Sequence, residues 1–114
     1  MNIFSYTKIG VKMNKKLLLN EESLNTLCKT VKILGDESRL KIILYLFDGE
    51  KCVGDIAENC SLSQSATSHQ LRILKDANVL KSKKVGNVIY YSVADNHVET
   101  LIETLVEHLD CKGK

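Results

Sequence analysis

Apolar residues recur at helical spacing along most of the 114-residue chain. A first helix is predicted from Asn20, the expected N-cap, to its end at Gly35. Asp36 is the expected cap of a second helix, ESRLKIILYLF, which closes at DGE. The pattern predicts that the buried stripe of this second helix consists of Leu40, Ile43, Leu44 and Phe47.

Two more helices and two strands are predicted in the middle of the chain. A short helix, VGDIAENC, precedes a tight turn at CSLS, and Ser63 is the expected cap of the helix QSATSHQLRILKDAN. Leu71 and Leu74 fall on the core side of that helix. The strands VLKSKK and VIYYSV flank Gly86-Asn87, residue types that tolerate the positive backbone angles of a hairpin turn.

This order of elements predicts a mainly α protein with a small β-hairpin. Two helices joined by a short turn form a helix-turn-helix, and an added basic hairpin makes it a winged helix. Residues 1–19 carry no clear period and are predicted to form a flexible N-terminal arm. We expect residues 20–114 to form one domain that binds DNA and dimerises.

Charge separates the chain into a basic middle and an acidic end. Residues 61–91 contain five Lys or Arg and one Asp, whereas residues 97–110 contain acidic side chains and no Lys or Arg. The net charge of the whole chain is only +2. This distribution predicts two surfaces with separate partners. The absence of a bilayer-length apolar run and of a signal-peptide pattern predicts a cytoplasmic protein with reduced cysteines, of which Cys28 and Cys60 are expected to be buried.

The polar face of the helix after Ser63 has the chemistry needed to contact duplex DNA. Gln can bridge the donor and acceptor of adenine, while Ser contacts base edges or phosphates. Basic side chains hold phosphates and make binding depend on salt. We predict base-edge contacts from Gln64, Ser65, Ser68 and His69, and phosphate contacts from Arg72, Lys81, Lys83 and Lys84. The alternative is that these are ordinary solvated residues.

His97 and His108 share one face of the predicted last helix, VADNHVETLIETLVEHLDC, but lie about 16 Å apart along its axis. Nitrogen ligands lie about 2 Å from zinc, so one helix cannot use both histidines on one ion. An antiparallel copy of the helix can, and it creates two equal sites between subunits. Each site is predicted to take Asp95 and His97 from one chain with His108 and Cys111 from the other. Cys111 is preferred to Asp110 because it lies on the histidine side of the helix.

The segments LGDESRL, EKCVGDIA, LSQSATSHQLRILKDANVL and GNVIYYSV resemble the ArsR/SmtB family of metal-responsive repressors. The resemblance covers roughly residues 24–111. It implies a homodimeric winged helix whose first and last helices form the interface, and whose ligand-free dimer represses an operator. The family's terminal-helix metal site has the form Asp-x-His followed by His-x-x-(His or Glu), so Cys111 departs from the usual fourth ligand.

The family also has a second type of metal site on the short helix before the DNA-reading helix. Cys52 matches one of its ligands and Asp55 can match another, but Gly54 stands where the arsenic and cadmium sensors have a cysteine. We therefore expect this second site to be vestigial or absent.

The sequence thus predicts a repressor that binds double-stranded operator DNA as a homodimer and senses zinc or another divalent transition metal. One alternative is a repressor of the same fold that senses oxidants or persulfides through cysteines, with Cys28 and Cys111 able to approach each other. Another is a small metal-buffering or protein-interaction module without an operator. No catalytic constellation is present, so an enzyme is not expected.

Overall fold

The computed structural model describes the backbone of residues 19–113 and the side chains up to Asp110. The chain divides into two compact units, residues 1–34 and 35–114. The described part of the first unit is helix α1, Glu21–Leu34, which begins where Asn20 Oδ1 accepts a hydrogen bond from Ser23 N at 2.7 Å. The predicted cap and end of this helix are confirmed. None of its side chains is buried, and Leu27 and Val31 are exposed. Most of the predicted arm lies outside the described residues.

The second unit contains the remaining elements. In chain order they are α2 (Glu37–Tyr45), a 3-10 turn (Leu46–Asp48), β1 (Lys51–Cys52), α3 (Val53–Cys60), α4 (Gln64–Asp76), β2 (Leu80–Val85), β3 (Val88–Val93) and α5 (Asn96–Gly113). Asp36 begins α2 by accepting a hydrogen bond from Arg39 N at 3.1 Å, as predicted. No helix in the described part of the chain is long and apolar enough to span a membrane.

The three strands form one antiparallel sheet in the order β1-β3-β2. The predicted hairpin is present, with Val85 opposite Val88 and with Gly86 at φ 62° in the turn. Strand β1 was not predicted, because two residues carry no detectable alternation; it pairs Lys51 with Tyr91 and Cys52 with Tyr90. Helices packed around a small sheet with a projecting hairpin confirm the winged helix-turn-helix fold.

The core lies where α2, α3 and α4 pack together and against the sheet. Its fully buried side chains include Ile42, Ile43, Leu46, Ile56, Leu71 and Leu74. The predicted buried stripe of α2 is wrong in part, because Leu44 is 47% exposed. Helical spacing puts Ile42, Ile43 and Leu46 on one face, and Leu44 lies about 100° beyond Ile43. Leu40 and Phe47, two further members of the predicted stripe, are half-buried.

The turn of the helix-turn-helix is closed by the backbone. Ser61 adopts the left-handed conformation at φ 57°, and Leu62 N donates to Ala57 O at 2.9 Å. Cys60, which ends α3, is buried as predicted, and this burial raises the pKa of its thiol. The prediction that Cys28 is also buried is wrong for the single chain. Helix α1 buries none of its side chains, and Cys28 is exposed.

Candidate nucleic-acid interface and regulatory metal site

Helix α4 turns one face to the core and the opposite face outward. Ser63 Oγ accepts a hydrogen bond from Ala66 N at 3.1 Å, so the predicted cap is confirmed. Thr67, Leu71 and Leu74 are fully buried and fix which side of the helix packs inward. The opposite face is exposed, and on it lie Ser65, Ser68, His69 and Arg72. The side chains predicted to contact DNA from α4 thus share one exposed surface, here called the reading face.

Gln64 lies at the edge of the reading face, beside α3. Its side chain is exposed, and a Cβ added at Gly54 would lie 3.8 Å from its Nε2 atom. That distance is an ordinary van der Waals contact, so the start of α4 lies close to α3 at this point. The position remains compatible with a contact to DNA.

The hairpin of β2 and β3 is here called the wing, and its three lysines do not all lie on the same side of it. Lys83 lies opposite Tyr90 and Lys84 lies opposite Ile89, so successive residues face opposite sides of the sheet. Lys81 and Lys83 project from one side, and Lys84 projects from the other. Lys83 Nζ also lies 3.3 Å from Glu50 Oε1, in an ion pair whose side chains are 61% and 44% exposed. Such exposed pairs are weak, so Lys83 can exchange Glu50 for a phosphate at little cost.

Asp95 and His97 lie together at the start of α5. Asp95 Oδ1 accepts hydrogen bonds from His97 N at 3.0 Å and from Val98 N at 3.2 Å, which makes Asp95 the cap of the helix. His97 Nδ1 lies 3.7 Å from the same oxygen, and the His97 side chain is 92% exposed. The structure therefore brings a carboxylate and an imidazole together at the surface, where both can turn toward a ligand.

His108 lies three turns further along the same side of α5 and is also exposed. Beside the two histidines runs a row of exposed leucines, Leu101, Leu105 and Leu109, which we call the leucine row. Ile102 faces the rest of the chain and is buried. The leucine row therefore lies between two other sides of α5. One side holds the buried Ile102, and the other carries the two histidines.

Within one protomer the four predicted metal ligands are not brought together. Asp95 and His97 are adjacent, but no group of three His, Cys, Asp or Glu side chains in the described part of the chain could hold an ion. The side chain of Cys111 lies outside the described residues. The donor set itself, a carboxylate and two imidazoles on exposed positions, fits a divalent transition metal such as zinc. Within one chain, however, His108 lies too far from Asp95 and His97 for all three to bind the same ion.

The second possible metal site is not assembled either. Cys52 is half-buried at the start of α3, and Asp55 is exposed one turn later. Neither lies in a group of three potential ligands among the side chains that the structure describes.

Sequence patterns did not reveal two contacts that bear on the candidate interface. One is the Lys83–Glu50 pair described above. The other joins α2 to α4: Arg39 Nε donates to Gln70 Oε1 at 2.8 Å. Both contacts join residues far apart in the chain, and periodicity predicts faces rather than such pairs. For the second contact, the one signal in the sequence is Gln70, a polar residue on the flank of α4.

Comparison with known proteins places the chain in a family. The model of the bacterial regulatory proteins of the arsR family matches residues 36–82. The HTH-type transcriptional regulator NmtR of Mycobacterium tuberculosis is 34% identical over 90 residues, which are 79% of this chain and 75% of NmtR. A homologue of the cadmium resistance regulatory protein CadC from Staphylococcus aureus is 41% identical over 81 residues, 70% of this chain and 67% of that protein.

The chain belongs to the ArsR/SmtB family of winged-helix transcriptional repressors. A Synechocystis homologue of the transcriptional repressor SmtB is 46% identical over 76 residues, 67% of this chain, and the match spans 58% of the length of that homologue. These relatives are transcriptional regulators, which confirms the predictions of a DNA-binding regulator and of a protein that is not an enzyme.

Solved structures agree with this ArsR/SmtB assignment. The solution structure of apo-NmtR superimposes with a TM-score of 0.69 at 32% identity and covers 89% of this chain and 87% of that one. A Mycobacterium bovis fragment described as a homodimeric winged helix-turn-helix DNA-binding domain gives a TM-score of 0.77 at 23% identity, over 91% of this chain and 93% of the fragment. The second likeness supports the fold alone.

Proposed function

We propose that the chain is a metal-sensing transcriptional repressor. It binds operator DNA as a homodimer through α4 and the wing, and it leaves the operator when zinc or a related divalent transition metal binds between the C-terminal helices. The observation that carries this proposal is the arrangement of α5, where Asp95 and His97 lie together while His108 is exposed on the same side three turns away.

The leucine row supports a second copy of this chain as the partner of α5. Three exposed leucines at helical spacing form an apolar strip that packing against another helix would remove from water. In an antiparallel pair, the start of one α5 lies beside the end of the other, so His97 of each protomer approaches the partner's His108. The histidines border the leucine row, which leaves them at the edge of such an interface.

The predicted ligands Asp95, His97, His108 and Cys111 would hold the metal in this arrangement. A divalent transition metal bound there would cross-link the two protomers through the oxygen, nitrogen and sulfur atoms of these side chains. The relative pose of the two α5 helices then sets the distance between the two copies of α4. Half-sites on DNA lie about one helical turn apart, so a change of that distance weakens operator binding. By linkage, DNA and metal lower the affinity for each other equally.

The DNA-binding part of the proposal rests on the reading face and the wing. Ser65, Ser68 and His69 are small or planar polar groups on an exposed helix face, and Gln64 lies at its edge. Arg72, Lys81, Lys83 and Lys84 supply positive charge around them. The strand register directs the wing lysines to both sides of the hairpin, so phosphates on either side of the wing are within reach of a basic side chain.

Thiol sensing has weaker support. Burial raises the pKa of the Cys60 thiol and keeps it in the unreactive protonated form at neutral pH. Cys28 is exposed on α1, and it forms no disulfide with another cysteine whose side chain the structure describes. The metal-buffering alternative does not explain the reading face or the basic wing.

The test of the proposal is a titration of a labelled fragment of the DNA upstream of the coding sequence. The metal-free dimer should bind it, and added zinc should release it. Failure of the metal-free protein to bind would refute the repressor hypothesis. Release by oxidant but not by zinc would instead establish the thiol sensor.

A mixed dimer tests whether the site lies between protomers. His97→Ala and His108→Ala homodimers each lack one ligand in both sites, so neither should respond to zinc. A heterodimer of the two variants regains one intact site, because its native His97 and native His108 come from different chains. Recovery of one zinc ion per heterodimer supports the intersubunit site, and no recovery contradicts it.

A further inference from the structure

A hydrogen bond between Arg39 and Gln70 joins α2 to α4. Arg39 lies in the first turn of α2, where its backbone N–H donates to the cap residue Asp36 at 3.1 Å. Its Nε atom donates to Gln70 Oε1 at 2.8 Å, a bond between partly buried side chains. Gln70 follows His69 in α4, so this bond reaches a residue directly beside the reading face.

The apolar contacts of α4 decide which side of the helix packs inward, whereas a hydrogen bond is directional and also restrains a small rotation. Its inward side consists of Thr67, Leu71 and Leu74, and apolar packing is not directional. The hydroxyl of Thr67 donates back to Ser63 O at 2.8 Å, within the same turn of helix. The Arg39–Gln70 bond, by contrast, joins α4 to another helix, α2.

A small rotation of α4 would be sufficient to disrupt base reading. Side chains lie about 5–6 Å from a helix axis, so a rotation of about 20° moves their ends by about 2 Å. A hydrogen bond to a base edge does not survive a displacement of that size. Contacts from long, flexible lysines to phosphates tolerate it, because the side chain can follow the phosphate.

We propose that Arg39 is a positioning residue that fixes the rotation of α4 through Gln70, and that this contact sets the sequence preference of the protein rather than its general affinity for DNA. The inference rests on the proposed function, since it concerns how the reading face is presented to an operator. Gln70 lies on the flank of α4 between the core and the reading face, so it need not touch DNA to have this effect.

The experiment compares binding of the full-length dimer to its preferred duplex and to a scrambled duplex of equal length. The preferred duplex is obtained by selection from a random DNA library. Gln70→Leu keeps the size of the side chain and removes the hydrogen bond. It should lower the ratio of the two affinities about tenfold, the effect of one bond to a charged group, and leave scrambled-duplex affinity within about twofold. Lys81→Met is the matched control, and it should weaken both duplexes equally.

The contact itself is tested by combining substitutions. Arg39→Met should lower the same ratio, and adding Gln70→Leu to it should cause no further loss, because one bond cannot be removed twice. Gln70→Glu keeps an acceptor for Arg39, so it should retain the ratio with Arg39 present and lose it in the Arg39→Met background. This pair keeps the test decisive if Gln70→Leu fails to fold, which urea unfolding of each variant reveals.

Two results would overturn the inference. One is an unchanged ratio in Gln70→Leu, or in Gln70→Glu combined with Arg39→Met. The other is an additive loss in the Arg39→Met, Gln70→Leu double variant. If the unsubstituted protein binds neither duplex, the proposed function fails instead, so the two failures are distinguishable.

Discussion

Helices α4 and α5 differ in how fully they pack against the rest of their own chain. The inward side of α4 is fully buried, its cap comes from Ser63, and its flank is bonded to α2. Of the described residues of α5 only Ile102 is buried, and the leucine row has no cover. One chain thus presents the whole reading face but only part of the proposed metal site. The surface proposed to contact DNA is built within one chain, whereas the proposed metal site is complete only when two chains associate.

The largest effect on folding is expected from the core side of α4. Leu71→Ala should reduce the free energy of unfolding by about 3 kcal/mol, because it opens a cavity at a fully buried position. Urea unfolding measures this loss. Leu109→Ala, on α5, is the matched control: its side chain is 64% exposed, so the loss should stay below about 1 kcal/mol at concentrations where the protein is monomeric. Equal losses would contradict the difference between the two helices.

The largest effect on association is expected from the leucine row. Leu105→Glu puts a charge in the middle of the proposed interface and should raise the dimer dissociation constant about 100-fold, since burying an unpaired carboxylate is costly. Sedimentation of the variant at several concentrations measures this constant. The control is Glu103→Gln, which alters an exposed residue on the far side of α5 and should leave the dimer intact. A Leu105→Glu protein that sediments like the unsubstituted dimer would show that α5 is not the interface.

The caps of α4 and α5, Ser63 and Asp95, have different proposed roles, and their substitution should have smaller effects. Ser63→Ala should cost about 1 kcal/mol of stability through the loss of the bond to Ala66 N, without changing zinc affinity. Asp95→Asn should do the reverse: asparagine caps helices as well as aspartate does, but it is a poorer metal ligand. Stability should stay within about 0.5 kcal/mol, while zinc affinity should fall at least about tenfold.

Calorimetric zinc titration together with urea unfolding separates the two roles of Asp95. Ser63→Ala is the control for a cap without a ligand role. Unchanged zinc affinity in Asp95→Asn would remove Asp95 from the ligand set and leave it as a cap only.

The sequence predicts features that depend on neighbouring residues better than features that depend on residues far apart in the chain. The caps at Asn20, Asp36 and Ser63 were predicted, because a cap depends on residues three positions apart. The winged fold follows from the order of such local elements. Strand β1 was missed because its two residues are held by pairing with β3, which lies about forty residues later in the chain.

The buried stripe of α2 was predicted one position out of phase for a similar reason. Periodicity shows that the helix is amphipathic, but Leu44 and Ile42 are chemically alike and lie on either side of Ile43, so packing alone decides which of them is buried. The proposed site residues remain predictions from the sequence. The structure adds the exposure of those whose side chains it describes, the proximity of Asp95 to His97, and the within-chain partner of Lys83.

Lys83 is where a contact within the chain competes with the proposed contact to DNA. Its ammonium group lies 3.3 Å from Glu50, which must be given up when a phosphate approaches. Glu50→Gln should therefore tighten binding to any duplex about threefold, the effect of one exposed ion pair. Glu58→Gln is the matched control, since it removes one exposed negative charge from α3 without touching a wing lysine. Fluorescence anisotropy on a scrambled duplex measures both variants at one salt concentration. If they gain equally, net charge explains the effect, and the Glu50 pair does not restrain the wing.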